Sequence, residues 1–222
     1  MPAVVDDGVA PEVPPPVHRT DRRFWALLVL LVLAGLFIRI DAVRDIAPPV
    51  PSLGDAHAYH VLGQNLAHGR GYIRPYDWER SAKRVPTAEY PPALPMVFAV
   101  ADRVGLSGEE SQRILMCCIG SLTVLLVGIA ARRLAGPSAG LLAAAVAAGY
   151  PMLWAADAAA MPETLAALAG AAVLVLALRA RESTSWRWWL GLGLALGASA
   201  LVRSEALFLA PVLVIPIAWR MR

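Results

Sequence analysis

Long apolar stretches separated by short charged connections dominate this chain of 222 residues. The apolar runs recur from residue 24 to residue 219, at close to the length with which a helix crosses a bilayer. They predict six membrane-spanning helices, at residues 24–40, 112–131, 138–156, 163–179, 187–203 and 206–219. The expected fold class is therefore all-α, a polytopic membrane helical bundle of about six transmembrane helices.

A long polar stretch, residues 41–110, interrupts this pattern after the first span. Apolar residues recur at helical spacing after Asp55, and Gly69 and Gly71 end that pattern. Asp55 stands where a helix N-cap is expected, a structural role that does not exclude chemistry. Residues 93–104 are apolar but too few to cross a bilayer, so they predict a segment that lies in the membrane interface or re-enters the membrane. We expect one long loop that carries short interfacial helices.

Arginines in the short connections indicate the orientation of the bundle. Most of these connections are rich in arginine and fall on the side of the N terminus, whereas residues 157–162 contain no base. Because short cytoplasmic loops carry the excess of positive charge, we predict a cytoplasmic N terminus and an extracytoplasmic 41–110 loop, in the plasma (inner) membrane. Residues 1–22 are rich in proline and predict a disordered cytoplasmic tail before a membrane domain at 23–222.

Composition excludes several functional classes. Hydrophobic residues make up 58% of the chain and charged residues 17%, which is unlike a soluble domain. The net charge of +3 comes from arginines at the ends of apolar runs, so we expect membrane lipid and no nucleic acid as a partner. The two cysteines, Cys117 and Cys118, are adjacent, which excludes a disulfide framework and a four-thiolate zinc site.

Small residues indicate where helices approach each other closely. The stretch from Gly140 to Gly149 is almost entirely alanine, glycine and leucine, and Gly193 and Gly197 are spaced by four within a later span. Both patterns predict tight packing inside the bundle, with a specific dimerisation motif as the alternative.

Candidate chemistry lies in the long loop and at span ends on the same predicted side. Its charged members are Asp55, Glu89, Glu163, Arg203 and Glu205. Ionisable side chains at that depth are functional candidates, although Arg203 paired with Glu163 or with Glu205 would also serve structure alone. If these residues converge, the carboxylates can activate a nucleophile and the arginine can hold a phosphate.

Histidines beside Asp55 raise the alternative of a metal site. His57 and His60 lie within one helical turn of each other, close enough to join Asp55 around an ion. Histidines at this spacing on a surface helix are usually solvated, so we expect neither a metal nor another cofactor.

The order of several short motifs resembles a known family. They are Asp55-x-x-x-Tyr59, Gly69-x-Gly71, Tyr90-Pro-Pro-Ala-Leu-Pro, Ala131-Arg-Arg-Leu-Ala-Gly136, Met161-Pro-Glu163 and Leu201-Val-Arg203. Over residues 24–219 the chain is similar to the N-terminal half of the C-type (GT-C) membrane glycosyltransferases. The branch it resembles contains the protein O-mannosyltransferases and the lipid A aminoarabinose transferase.

The resemblance implies an enzyme that moves a sugar from a polyprenyl-phosphate donor to an acceptor hydroxyl of a glycan, lipid or protein. Transfer would occur outside the cytoplasm and invert the anomeric carbon, with no metal. Asp55 would be the catalytic base and Arg203 would stabilise the departing phosphate. The substrate-binding residues expected from the motifs and from convergence are Tyr59, Glu89, Tyr90, Glu163, Arg203 and Glu205.

Two departures from the family pattern keep alternatives open. Ala56 stands where many relatives have a second acid, and family members are usually several hundred residues long. We therefore expect a domain that is incomplete at its C terminus, with a partner chain as one source of the missing half. The competing class is a non-catalytic membrane subunit or a lipid or solute carrier. A carrier usually has internal repeats and charges near the midplane, and neither is evident here.

Overall fold

The computed structural model describes residues 17–46, 53–183 and 185–220, and helices account for most of them. No strand occurs within these ranges. The helices are α1 (Val17–Asp41), α2 (Asp55–Ala67), α3 (Pro75–Ser81), α4 (Ala93–Arg103), α5 (Glu109–Ala135), α6 (Pro137–Gly149), α7 (Pro151–Ala158), α8 (Glu163–Glu182), α9 (Trp186–Val202) and α10 (Leu209–Arg220). A π-helical turn (Ala42–Ile46) follows α1, and a 3₁₀ turn (Ser204–Phe208) precedes α10. The expected all-α membrane bundle is confirmed.

The lengths of the helices differ from those expected for six spans. Three helical stretches are long and apolar enough to cross a bilayer, namely Arg22–Asp45, α5 and α8. The expected span at 138–156 is divided into α6 and α7, which are bent by 49°. The bend arises because Pro151 has no N–H and disfavours helical backbone at Tyr150, whose ψ is 115°.

The last two expected spans are also shorter than predicted. Helix α9 has 17 residues and α10 has 12, below the roughly 20 residues of a straight crossing. Extended backbone at Arg203 separates them, at the interruption that the sequence indicated. By length and composition, the described residues thus provide three spans, or four with the bent pair, where six were expected.

The ends of the first span differ as well. The predicted tail lies outside the described residues up to residue 16, and α1 begins at Val17, inside the range assigned to that tail. Helical backbone continues through Ile46, past the expected start of the loop at residue 41. A helix can extend beyond the hydrocarbon region because its backbone hydrogen bonds are internal on either side of the boundary.

The bundle has two chemically different ends. Helices α5 and α8 begin with acidic residues, Glu109 and Glu163, and finish with arginines, as the helix dipole favours. We call the end where α5 and α8 begin the site end. Helices α1, α7 and α9 finish at this end. The opposite end, where α5 and α8 finish and α1 and α9 begin, is the arginine end.

A buried ion pair fixes α1 to its neighbours at the site end. Arg39 has no exposed surface, and its Nε lies 2.6 Å from Oδ2 of Asp157 in α7. The same guanidinium donates to the carbonyl oxygens of Gly35, Ala147 and Ala148 at 3.0, 3.4 and 3.2 Å. A buried charge is tolerated only when it is paired and hydrogen-bonded, and both conditions are met here.

The loop helices rest on the bundle through one apolar cluster. Helix α2 packs against α4 so closely that a Cβ added at Gly63 would lie 2.6 Å from the Cβ of Phe98. Phe98 and Tyr59 belong to a buried cluster with Met116 of α5 and Val202 of α9. The helix that begins with Asp55 is therefore held by helices of the bundle as well as by the loop.

Close packing by small residues is confirmed in one predicted stretch and wrong in the other. At Gly140 a Cβ would lie 2.8 Å from the carbonyl oxygen of Gly128, so α5 and α6 touch through their backbones. No atom of the described residues lies within 4 Å of a Cβ added at Gly193 or Gly197. Those two glycines lie on an exposed face of α9 because α9 contacts α8 through its other side, which carries Leu192 and Leu196.

Gly120→Ala is expected to destabilise the bundle strongly, because the added Cβ would overlap the carboxylate of Asp157. Displacing that carboxylate breaks the pair with Arg39, a change that costs about 3 kcal/mol or more in the free energy of unfolding. Thermal unfolding in detergent, followed by circular dichroism, measures the effect. Gly193→Ala is the matched control and should leave the midpoint unchanged or slightly raised. Equal midpoints for the two variants would contradict this role of Gly120.

Candidate active site

Five of the seven predicted site residues line one cavity of about 240 Å³ at the site end. They come from three separate parts of the chain: the start of α2, the start of α8 and the α9–α10 connection. The five are Asp55, Tyr59, Glu163, Arg203 and Glu205. Residues that the sequence analysis did not assign to the site complete the wall, namely Pro91, Met161, Pro162, Val202 and Ser204.

Asp55 is the first residue of α2, and the expectation that it caps this helix is wrong. The capping position is Gly54, whose φ of 123° suits glycine, and no side chain within the described part of the chain caps α2. Gly54 is clamped by Tyr76, whose hydroxyl donates to the Gly54 carbonyl at 2.8 Å and lies 2.7 Å from the Gly54 nitrogen. Within the described residues, the Asp55 carboxylate has no hydrogen bond or ion pair, and it is exposed. Both of its oxygens can therefore face a ligand.

Arg203 forms an ion pair with Glu163, one of the two pairs that the sequence left open. The side chains are about half exposed, at 48% and 45%. The Arg203 amide donates to the Ser199 carbonyl at 2.9 Å, which holds the residue at the end of α9 while its side chain reaches α8. Oε2 of Glu163 is shielded and has no hydrogen-bond partner among the described residues. The pair with Arg203 therefore leaves one oxygen of the Glu163 carboxylate without a hydrogen bond from the described residues.

Two tyrosines bring neutral phenols to the carboxylates. The rings of Tyr59 and Tyr90 meet edge to face with centroids 5.1 Å apart. Burial, reinforced by the charges of Asp55 and Glu163, raises the pKa of Tyr59 to about 12. Burial also raises the pKa of Tyr90, with the Asp55 charge acting in the same direction. Both phenols therefore stay protonated near neutral pH and can donate hydrogen bonds.

Glu89 and Tyr90 line a neighbouring cavity of about 550 Å³ and not the one that contains Asp55. The two cavities share Pro91 and Ser204 in their walls. Four of the five charged residues that were predicted to converge thus line one cavity, and Glu89 lines the other, because the Tyr90-Pro91 segment runs between the two spaces. Tyr72 fixes that segment by donating to the Tyr90 carbonyl at 2.8 Å.

Sequence reasoning missed the residues that position this segment and the start of α2. Tyr72 and Tyr76 act through backbone carbonyls of residues that are 18 and 22 positions away. No local pattern marks such a contact, because it depends on how the loop folds back. Burial raises the pKa of Tyr72 to about 12, so its hydroxyl remains a donor.

The histidines next to Asp55 are engaged elsewhere. Nε2 of His57 lies 3.0 Å from Glu79, and its Nδ1 lies 3.6 Å from Glu109. Nδ1 of His60 lies 2.7 Å from the side-chain oxygen of Gln112. Among the described residues, no group of three or more histidine, cysteine, aspartate or glutamate side chains is arranged to hold a metal ion.

Comparison with known proteins places most of the second part of the chain in a family. The family model described as dolichyl-phosphate-mannose-protein mannosyltransferase matches residues 89–221, which is more than half of the chain. No curated protein matches significantly, and no solved structure does either. The matched region contains Tyr90, Glu163, Arg203 and Glu205 but begins after Asp55.

The stability of the folded chain is expected to fall as the pH rises from 10 towards 12. Tyr59 has a folded pKa of about 12 against an ordinary value of 10.0, so unfolding releases its proton within that window. The stabilisation is complete below pH 10 and is lost above it. Thermal midpoints measured from pH 8 to pH 12 should decline less steeply for Tyr59→Phe than for the wild type. Tyr150→Phe, at a half-exposed ring, is the control and should keep the wild-type slope. An unchanged slope in Tyr59→Phe would contradict the burial of this phenol.

Proposed function

Because the chain belongs to the dolichyl-phosphate-mannose-protein mannosyltransferase family, a family of membrane glycosyltransferases, we propose a specific reaction for its site-end cavity. The cavity transfers a sugar from a polyprenyl-phosphate donor to an acceptor hydroxyl on the extracytoplasmic face. The anomeric carbon is inverted and Asp55 acts as the base. The observation that carries this proposal is that the Asp55 carboxylate, which has no partner among the described residues, lies in one cavity with Arg203.

The proposed reaction is a single displacement. The acceptor oxygen attacks the anomeric carbon as the bond from that carbon to the phosphate oxygen breaks. The acceptor proton passes to Asp55, and the bonding electrons leave with the polyprenyl phosphate. A carboxylate is a weak base at neutral pH, but it suffices when the proton moves late and the acceptor oxygen is already becoming positive.

The cavity has carboxylates that can bind the sugar of such a donor and an arginine that can bind its phosphate. Asp55, Glu163 and Glu205 are acceptors for sugar hydroxyls, and their negative charge favours the positive charge that develops on the sugar in glycosyl transfer. Arg203 is the arginine that lines this cavity. Its guanidinium has five N–H donors, and one of its nitrogens binds Glu163, so others are available for phosphate oxygens.

Asp55→Asn is expected to lower the rate of transfer by about 10²- to 10⁴-fold, because the amide has the shape of the acid but cannot take the proton. The measurement follows radiolabelled mannose from polyprenyl-phosphate mannose to acceptors in membranes that contain the full chain. Glu110→Gln, an exposed acid in the first turn of α5, is the matched control and should retain full transfer. Equal rates for wild type and Asp55→Asn would exclude Asp55 as the base. No transfer by the wild type would contradict the proposed activity of this chain.

Arg203→Gln is expected to lower kcat/KM for the donor by about 100-fold, which corresponds to about 2.7 kcal/mol of lost transition-state stabilisation. The loss arises because the departing phosphate no longer meets a guanidinium. Arg80→Gln, at an exposed residue of α3, controls for the change in net charge and should leave kcat/KM unaltered. If Arg203→Gln lowered the unfolding midpoint and left kcat/KM unchanged, the pair with Glu163 would be structural.

A further inference from the structure

The larger cavity at the site end, of about 550 Å³, adjoins the proposed catalytic cavity. Pro91 and Ser204 stand in the walls of both, so the two spaces meet along these residues. Small-molecule sites in proteins usually have volumes of about 300 to 1,000 Å³, and the larger cavity falls within that range. The proposed reaction places the sugar and the phosphate of the donor in the smaller cavity and assigns no role to the larger one.

Side chains supply the polar groups of the larger cavity. Among the described residues that line it, Glu89 is the one with a charge, and its exposed carboxylate has no hydrogen bond or ion pair to any of the described residues. Hydroxyls come from Tyr72, Thr87 and Ser204. A hydroxyl can both donate and accept a hydrogen bond, and an ionised carboxylate can accept several. Such a set of groups matches a ligand that carries several hydroxyls of its own.

The charge of the larger cavity selects against an anionic ligand. A phosphate or carboxylate beside Glu89 would be repelled, and no arginine or lysine is among the described residues of the wall. In the adjoining catalytic cavity, Arg203 is already paired with Glu163. Arg74 lines a third cavity, which shares Glu89 with this one, and it pairs with Asp77 at 3.9 Å. An uncharged ligand therefore fits this cavity better than an anion.

The backbone of the cavity wall has few groups left for a polypeptide. The Thr87 amide donates to the Tyr72 carbonyl at 3.1 Å, and the Glu89 amide donates to the Thr87 hydroxyl at 3.1 Å. The carbonyl oxygens of Tyr90 and Pro91 accept from the Tyr72 hydroxyl at 2.8 and 3.3 Å. Pro91 itself has no N–H. Because an extended peptide docks largely through main-chain hydrogen bonds, this wall is better suited to recognition by side chains.

We propose that the larger cavity binds a neutral sugar unit of the acceptor, with the Glu89 carboxylate accepting hydrogen bonds from the sugar hydroxyls. A sugar ring combines several hydroxyls with apolar C–H faces, which the rings of Tyr72 and Tyr90 can cover. The role of this sugar as acceptor rests on the proposed transfer reaction, in which a hydroxyl that reaches past Pro91 enters the cavity of Asp55. Binding of the sugar does not depend on that reaction.

Affinity for mannotriose, a neutral trisaccharide, tests the site in the full chain without any donor. Calorimetry in a detergent that has no sugar headgroup should detect binding to the wild type. Glu89→Gln should weaken it about tenfold, because a hydrogen bond to a charged acceptor is stronger than one to an amide. Glu110→Gln, at an exposed acid of α5 outside the cavity, is the matched control and should change the affinity by less than about twofold. Mannotriose with one 6-phosphate should bind to the wild type at least about tenfold more weakly than the neutral sugar.

A second pair of variants tests the cavity without removing a charge. Ala200 of α9 lines the larger cavity, so Ala200→Trp should fill part of it and abolish binding of mannotriose. Ala198→Trp is the matched control, because Ala198 is exposed on the same helix and two residues away, which places it on another side. It should retain the wild-type affinity. Equal affinities for these two variants would contradict the assignment of the cavity.

Three further results would overturn the proposal. Equal affinity of the wild type and Glu89→Gln for mannotriose would exclude Glu89 as the residue that binds the sugar. Equal or tighter binding of the phosphorylated trisaccharide would contradict selection by charge. A threonine-containing hexapeptide that bound more tightly than mannotriose, and lost affinity in Glu89→Gln, would assign the cavity to a polypeptide.

The sugar site and the transfer reaction fail in different assays. Absence of transfer together with Glu89-dependent binding of mannotriose would overturn the reaction and support the site. Transfer to membrane acceptors without such binding would overturn the site and leave the reaction standing. Mannotriose with a dodecyl aglycone distinguishes the sources of the sugar. Tighter binding of the dodecyl form would support the site with a lipid-anchored glycan, and equal binding would support it with a free glycan, provided that Glu89→Gln weakens both.

Discussion

The buried pair between Arg39 and Asp157 is the constraint on which the rest of the structure depends. An unpaired charge in this interior would be prohibitively unfavourable, so α1 and α7 are obliged to meet at one point. Gly120 provides the space for the carboxylate, since any side chain there would occupy its position. Cys117, one turn earlier on α5, donates from its thiol to the Arg39 carbonyl at 3.4 Å. Three helices that are remote in sequence are thereby held at one level of the site end.

The position of this ion pair along the bundle determines where the catalytic candidates lie. Helix α7 ends at Ala158, whose carbonyl accepts a hydrogen bond from Arg113 of α5, and the chain reaches Glu163 only five residues later. Movement of α7 would therefore move Glu163, and with it the partner of Arg203. The start of α2 is held against the same helices less directly, through the apolar cluster that contains Tyr59 and Val202. The cavity thus combines one wall fixed by buried charge with one wall fixed by apolar packing.

Much of the fold was predictable, because the length of an apolar run and the residues that interrupt it can be read from short stretches of sequence. The helical class, the short loop helices and the interruption at Arg203 all follow from such local signals. The partner of Arg39 was not predictable, because Asp157 is 118 residues away and no pattern links them. Asp55 was wrongly expected to cap its helix, since the positive φ of Gly54 shifts the helix start by one residue. The bend at Pro151 was missed because the apolar run continues through it.

The excess of carboxylates in the walls of the site-end cavity bears on how a phosphate-linked donor would be handled. Those walls contain three carboxylates and Arg203. In the proposed reaction a donor phosphate at the site end shares Arg203 with Glu163, because one guanidinium nitrogen binds that carboxylate and others are available. Transfer then turns a phosphodiester into a phosphomonoester, which carries more negative charge. Asp55 holds the acceptor proton at that moment and is neutral, so the repulsion that increases comes from Glu205. This repulsion favours release of the spent lipid carrier.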